Sequence, residues 1–577
     1  MPVPLDRSGL VPGVVSLHVE RVLPPTNPPR GVMLLLAGGP GQPGSATFNL
    51  AESAPSLRLY FPGYTLATFD IRGTGKSGPL SCPSLQTLLT IDVDVEKAPG
   101  LVGACGSMIG DSRRFYSTRD HAEDTELVRQ ALGVDKIGLW GTSYGTRHAM
   151  VYALAHPDHV ERLVLDSVVP PEGEDAFGSE TLRAIPGALS NFCGRTGCSA
   201  ATPNAAADVV ALANRLAAKP ISGKVLVPGG SHLEKLDGVQ FLSLVVQADL
   251  DPGLAAELPA AVRAALQGRP LALLRLARIE SQSITPTEDL NAALFAATVC
   301  DDGPLPWTPE TPIAQRQALI DAAIAALPAG TLGPFGPWAT KIGSADMCKL
   351  WPEQPAPVDT PLQAPPNVPV LVLNGERDTR TPVASAASVA ARFPQGHLLV
   401  VPNVGHSVLG ADLSGCAVRA LRLWMAGQQP PTTCERSPWI VSPLAAFPAT
   451  ASGVAPLGLG GREGRTLGAV VRTAREAAAS WGMSVFSLGG ESGTVAGLYG
   501  GRLTPTGAAF RLVRYSIIPG VELTGTLSLD RSGDVVPIRF LGPVTVSGSK
   551  AVAGKLVIGQ SRVRGTLAKR KIDVALR

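Results

Sequence analysis

The chain lacks any apolar run long enough to cross a membrane. Its longest runs, Val32 to Ala37 and Val368 to Leu373, have the length of a strand. A spanning helix needs about 18 or more such residues. No membrane span is therefore expected, although the mean hydropathy is +0.18. Charge is also scarce: Asp, Glu, Lys and Arg make up 17% of the 577 residues, and 50 basic against 47 acidic side chains leave a net +3. Nucleic acid is not an expected partner. The one weak basic gathering, Arg562, Arg564, Lys569, Arg570 and Lys571, fits a solvated strand face as well as an anionic envelope. No CxxC pair is present, and the residues suggest neither a metal nor any other cofactor. Met1 to Leu10 show no basic stretch followed by the apolar core of an export signal.

The chain does hold 45% hydrophobic residues, which excludes a disordered chain. Gly 63 and Pro 52 punctuate it throughout. Eight cysteines form an even set of sequence neighbours, Cys82 with Cys105, Cys193 with Cys198, Cys300 with Cys348 and Cys416 with Cys434. Adjacent pairing into disulfides points to an oxidising compartment, secreted or in the cell envelope; eight reduced, buried thiols are the alternative.

Residues 1–170 alternate short apolar runs (Val14 to Val22, Gly31 to Leu36, Tyr64 to Ile71, Lys136 to Trp140, Arg162 to Val169) with helical stretches such as Asp120 to Leu132 and Tyr144 to Ala155. Strands that are apolar throughout, alternating with helices, predict a parallel sheet covered on both faces. Residues 171–353 read as a mostly helical insertion, with Ala205 to Ala218, Leu254 to Leu266 and Pro312 to Leu327 as its clearest helices. A proline-rich link, Pro352 to Pro366, returns the chain to sheet-type sequence at 354–437. Residues 438–577 carry one amphipathic stretch, Arg465 to Trp481, and then short alternating runs (among them Val521 to Leu529, Val535 to Leu541, Lys555 to Ile558 and Val563 to Leu567) that predict a β-rich module.

Chemistry concentrates at Gly141-Thr142-Ser143-Tyr144-Gly145, between a strand and a helix. That context defines a nucleophile elbow: the bend presents the Ser143 hydroxyl at the sheet edge, and glycines two residues to either side avoid a collision. A serine hydroxyl needs a base within hydrogen-bond reach and an acid to orient that base. In the order nucleophile, acid, histidine, the loops after Val368 to Leu373 and His397 to Val401 supply Asp378 and His406, with Glu376 as the alternative acid. The Ala37-Gly38-Gly39-Pro40-Gly41 turn can form an oxyanion hole; Pro40 has no N–H, so Gly39 is the donor, paired with the amide of Tyr144. Gly73-Thr74-Gly75-Lys76-Ser77-Gly78 fits GxGxxG, but Pro79, Ser81 and Pro83 stand where a phosphate-binding helix would begin.

The Gly-Gly-Pro-Gly turn, the Phe69 to Gly78 stretch, the Gly-Thr-Ser-Tyr-Gly elbow and the Cys300-Asp301-Asp302 element ahead of Cys348 and Trp351 resemble the α/β-hydrolase-fold serine exopeptidases of the tripeptidyl aminopeptidase and proline iminopeptidase group. The resemblance spans residues 3–437. It implies an α/β-hydrolase core with a helical cap, an exported peptidase acting on peptides with a free N-terminus, Ser143, Asp378 and His406 as triad, and Gly39 and Tyr144 as oxyanion donors. Ala37 stands where single-residue proline iminopeptidases often carry a His before the double glycine, which favours the tripeptidyl branch; residues 438–577 fall outside the group's common length. An exopeptidase must also hold a protonated α-amine. Asp301 and Asp302 are the first candidates, a solvated acidic turn being the plain alternative, with Glu172, Glu174 and Asp175 as further ones. A carboxylic-ester hydrolase using the same triad, and a surface-binding protein with an idle one, are the competing functions.

Overall fold

The structure, a computed structural model, describes residues 1–87, 96–282, 286–355, 362–486, 493–532 and 536–576. Residues 356–361 of the proline-rich link and Val535 lie outside them. The chain forms two compact units: Met1–Leu89 with Val93–Ala184 and Thr285–Ser437, and Ile185–Ile284 with Pro438–Arg577. The mostly helical stretch 171–353 is thus shared between them.

The first unit is built on one seven-stranded sheet: β1 (Val19–Val22), β2 (Val32–Leu36), β3 (Thr65–Phe69), β4 (Ile137–Thr142), β5 (Val160–Asp166), β6 (Pro369–Gly375) and β7 (Gln395–Val401). The spatial order is β7-β6-β5-β4-β2-β3-β1. Every neighbouring pair is parallel except β1 with β3. Strands without a polar face bury both faces: Val32, Leu34 and Leu36 of β2 enter one core, Met33 and Leu35 the other. The helices α1 (Leu50–Tyr60), α2 (Thr118–Ala131), α3 (Tyr144–Ala155), α4 (Ala292–Asp302), α5 (Val383–Arg392) and α6 (Cys416–Met425) cover these faces. Ala54 of α1 and Leu421 of α6 pack on one side, and Val128 of α2, Ala149 of α3, Leu294 of α4 and Val389 of α5 on the other. A capping box at Ser117 and Asp120 starts α2.

The stretch Val14 to Val22, expected as one strand, is two. Val14–Ser16 pairs with Pro2–Pro4 in a separate ribbon, and only Val19–Val22 joins the main sheet. The GxGxxG loop proves to be scaffolding. It wraps the Asp70 carboxylate, which accepts the N–H groups of Ser45 at 2.8 Å and Lys76 at 2.9 Å. Arg72 forms a buried two-pronged pair with Asp124, at 2.7 and 2.8 Å.

The second unit combines helices Ala205–Ala218, Gly238–Gln247, Pro252–Leu266 and Leu271–Ser281 with a hairpin, Ile221–Val227 and Gly230–Leu236, within a stretch the sequence marks as mostly helical. To these it adds the long helix Gly461–Phe486 and an eight-stranded antiparallel sheet whose strands follow chain order. The Pro252–Leu266 helix is buried on most of its surface, and its small residues let Gly461–Phe486 approach closely: a Cβ on Gly253 would lie 2.3 Å from the Ala479 carbonyl. At the centre sits buried Arg275, which is 3.0 Å from Glu476 and 3.4 Å from Glu257. It also donates to the Ser480 and Tyr515 hydroxyls, each at 2.8 Å.

All four expected cysteine pairs are disulfides, with S–S distances of 2.02, 2.02, 1.99 and 2.00 Å. Among the described residues, no helix is long and apolar enough to cross a membrane.

Candidate active site

Parallel strands send their C-terminal ends to one edge of the sheet, where α/β folds place ligand sites. There β4 turns sharply into α3, and Ser143 takes φ 57° and ψ −125°. A non-glycine residue in that region is strained and is held only by its surroundings. The flanking glycines are a steric necessity: a Cβ on Gly141 would stand 2.2 Å from the Gly145 carbonyl, and one on Gly145 2.2 Å from the Leu36 carbonyl. The Ser143 N–H donates to the Asp166 carbonyl at 2.9 Å, and its own carbonyl accepts the Thr146 hydroxyl at 2.6 Å. Ser143 itself is half-buried.

Asp378 and His406, from the loops after β6 and β7, come together. His406 Nδ1 lies 3.0 Å from Asp378 Oδ2. Asp378 Oδ1 accepts the N–H groups of Arg380 at 3.1 Å and Thr381 at 2.9 Å, and Oδ2 accepts the Thr381 hydroxyl at 2.7 Å. Burial pushes the Asp378 carboxyl up, but the His406 charge and these hydrogen bonds outweigh it and hold the group below the usual carboxylate range. An ionised Asp378 fixes the proton on Nδ1 and leaves Nε2 to accept one. Glu376 instead accepts the Asn403 N–H at 3.1 Å, supporting the turn that precedes His406.

The Gly38-Gly39 turn packs directly on the elbow: a Cβ on Gly38 would come within 3.2 Å of the Ser143 Cβ. Gly39 has φ 107°, which a side chain would strain. Gly41 joins this loop to α4 by accepting the Asn291 N–H at 2.9 Å. The Tyr144 ring is buried beneath the elbow, its hydroxyl 2.7 Å from His121 Nδ1 and donating to the Thr118 hydroxyl at 3.0 Å. Burial raises the Tyr144 phenol well above its ordinary value and holds His121 well below 6.5 and His148 at about 4, so both histidines are neutral supports.

The acidic candidates separate. Asp302 accepts the Thr118 N–H at 2.6 Å on one oxygen and Arg147 at 3.1 Å on the other, so it braces α4 against the first turns of α2 and α3. Asp301 accepts Trp351 Nε1 at 2.6 Å and Gln354 at 2.9 Å, and burial lifts its carboxyl well above the usual range. A carboxylate with both oxygens engaged, as in Asp302, has little left to offer an ammonium, and Asp301 is buried against Trp351 and Gln354. Asp175 accepts the Ser179 N–H at 2.6 Å and Glu172 pairs with Arg392. Glu174 is solvent-accessible, yet its surroundings raise its carboxyl and the charges of His406, Arg380 and Arg147 reach it.

Sequence reasoning missed Thr381 and Asp166. The Asp378-Thr379-Arg380-Thr381 run ahead of Pro382 carries a side-chain-to-backbone turn pattern that could have flagged Thr381. Asp166 carries no local signal. Among the described residues one group, Glu126, His156 and His159, brings possible metal-ligand atoms within 4.8 Å of one another. Both Glu126 oxygens, however, already accept two donors each: Oε2 from Arg129 and Tyr152, both at 3.0 Å, and Oε1 from Arg129 at 2.6 Å and Gln130 at 2.9 Å.

Taken together, the doubly covered sheet and the elbow with its acid and histidine loops define an α/β-hydrolase-fold serine hydrolase. A family profile described as "alpha/beta hydrolase fold" matches residues 31–187, and one described as "TAP-like protein" matches residues 334–434. The chain is 26% identical over 436 residues to the serine protease Hip1 of Mycobacterium tuberculosis, covering 70% of this chain and 81% of that protein. It is 26% identical over 454 residues to the tripeptidyl aminopeptidase of Streptomyces coelicolor, covering 71% and 77%. A proline iminopeptidase of Neisseria gonorrhoeae is 26% identical over 144 residues, 25% of this chain and 34% of that protein. Within the α/β hydrolases, the chain is similar to serine peptidases of the tripeptidyl aminopeptidase and proline iminopeptidase group.

Proposed function

We propose that the protein is a serine aminopeptidase that releases short peptides from free N-termini through an acyl-enzyme. In this reading Ser143 attacks the scissile carbonyl while His406 takes its proton, then returns it to the leaving amine; Asp378 holds the ring and faces the imidazolium charge. The N–H groups of Gly39 and Tyr144 stabilise the oxyanion, a contribution of about 3 kcal/mol per donor in comparable sites. The observation that carries the proposal is the His406 Nδ1 to Asp378 Oδ2 contact of 3.0 Å at the edge where Ser143 is held in its strained turn.

Exopeptidase action needs an anion at a set distance from the nucleophile, and Glu174 is the carboxylate best suited to meet a protonated amine. It is exposed, and the His406 charge acts on it. The tripeptidyl specificity rests on the relatives and on Ala37 preceding the double glycine. Four disulfides and the same relatives support action outside the cytoplasm, secreted or in the envelope. The test is a paired panel of tripeptide p-nitroanilides with free and acetylated N-termini against short p-nitrophenyl esters. Turnover confined to free-amine peptides supports the reading. Ester turnover without free-amine peptide turnover rejects it.

A further inference from the structure

We propose that Asp166, the last residue of β5, is a positioning residue that sets the register between the nucleophile elbow and the histidine loop. This rests on the reading of Ser143 and His406 as nucleophile and base. One residue touches both loops. Its backbone carbonyl accepts the Ser143 N–H at 2.9 Å. Its side-chain oxygens accept the N–H groups that follow His406: Oδ1 from Val408 at 2.7 Å and Oδ2 from Leu409 at 3.0 Å. The adjoining Ser167 extends the clamp. It sits at φ 61°, donates its N–H to the Leu373 carbonyl of β6 at 2.9 Å, and accepts the Ser407 N–H on its hydroxyl at 2.8 Å. Asp166 and Ser167 are 1% and 0% exposed, so water does not compete for these bonds.

A carboxylate is a costly way to receive two backbone N–H groups in such a place. Burial pushes the Asp166 carboxyl up to about 6, against the pull of the Leu409 and Val408 N–H groups and the His406 charge, with Asp378 adding to the rise. Tyr60, on α1, also senses it. Because the folded state holds this proton more tightly than the unfolded chain, the group favours folding most below the ordinary aspartate range. That contribution fades as pH rises through about 6. At pH 8 the ionised form therefore opposes folding while supplying two charge-assisted acceptors. A residue kept for packing alone would not show that pattern.

The test is Asp166→Asn at pH 8 with a free-amine tripeptide p-nitroanilide. Asparagine keeps the volume but presents an NH2 to one of the two N–H groups, so the histidine loop loses one anchor. The expected result is a kcat lower by on the order of 10²-fold, since a displacement of about 1 Å at a reacting group has that effect. KM should stay within about twofold, because no substrate contact is removed. The melting temperature should hold, and exhaustive fluorophosphonate labelling should count as many competent sites as in the wild type. An unchanged kcat, or a loss matched by missing labelled sites, overturns the proposal. If Asp166→Asn does not fold, Ser167→Ala removes the neighbouring acceptor; reduced kcat at constant KM then supports the clamp, and unchanged kcat overturns it. Turnover persisting in Ser143→Ala would instead break the underlying reading of the nucleophile.

Discussion

Replacing Asp378 by Asn isolates what the acid does, because the structure dictates which way the amide must lie. Oδ1 accepts two backbone N–H groups, from Arg380 and Thr381, so the amide oxygen is forced to that side. The NH2 then occupies the Oδ2 position, 3.0 Å from His406 Nδ1. A donor facing Nδ1 selects the tautomer with its proton on Nε2, the nitrogen that must receive the Ser143 proton. The base is thus present, in place and wrongly protonated. In a serine protease with the same arrangement, the equivalent exchange costs about 10⁴ in kcat, or about 5.4 kcal/mol of barrier. The same loss is expected here, read as kcat on a free-amine tripeptide p-nitroanilide at pH 8. Glu376→Gln serves as the control and should leave kcat within about threefold, because Glu376 accepts the Asn403 N–H while Asp378 faces the ring. A kcat within about tenfold of wild type for Asp378→Asn would refute the assignment. So would a large loss that appears only in Glu376→Gln.

Glu174→Gln should lower kcat/KM on free-amine peptides by about 10- to 100-fold, the worth of a charge-assisted contact of about 1.5–3 kcal/mol. It should leave acetylated or ester substrates unchanged, and equal losses on both would refute amine binding by Glu174. Arg275→Met should leave Glu257 and Glu476 buried without their cation, at a cost of about 3–5 kcal/mol, measured by urea unfolding. A loss below about 1 kcal/mol would show that the cluster does not hold the second unit together. Replacing Cys300 and Cys348 by Ala opens a 48-residue loop and should cost about 4 kcal/mol on the chain-entropy account, again by urea unfolding.

Much of the core sheet could be read from the sequence because its strands are apolar without alternation, and only a doubly covered parallel sheet explains that. The elbow, the acid and the base could be read because each follows such a strand directly. What escaped lies where pairing is long-range or polar. The hairpin Ile221 to Leu236 carries Lys224, Ser231, His232 and Lys235 on a mostly exposed ribbon, so no apolar period marks it. The run expected to close at Leu541 continues instead, as the strand Phe540–Ser547 passes through Gly542 and Pro543. Asp301 and Asp302 were visible as acids beside a cysteine. Their partners, Trp351 for one and Thr118 with Arg147 for the other, lie 50, 184 and 155 residues away and no local pattern shows them. Asp166 was hidden for the same reason: both loops it ties together reach it only through the fold.

The most direct test of Ser143 as the nucleophile is a fluorophosphonate reaction with the intact disulfide-bonded chain, followed by peptide mapping of the adduct and a turnover assay of Ser143→Ala. One adduct per chain, on Ser143, with hydrolysis of free-amine tripeptide anilides abolished in the variant, is the expected result. An unlabelled native protein, an adduct on another residue, or a Ser143→Ala variant that still turns over would contradict it.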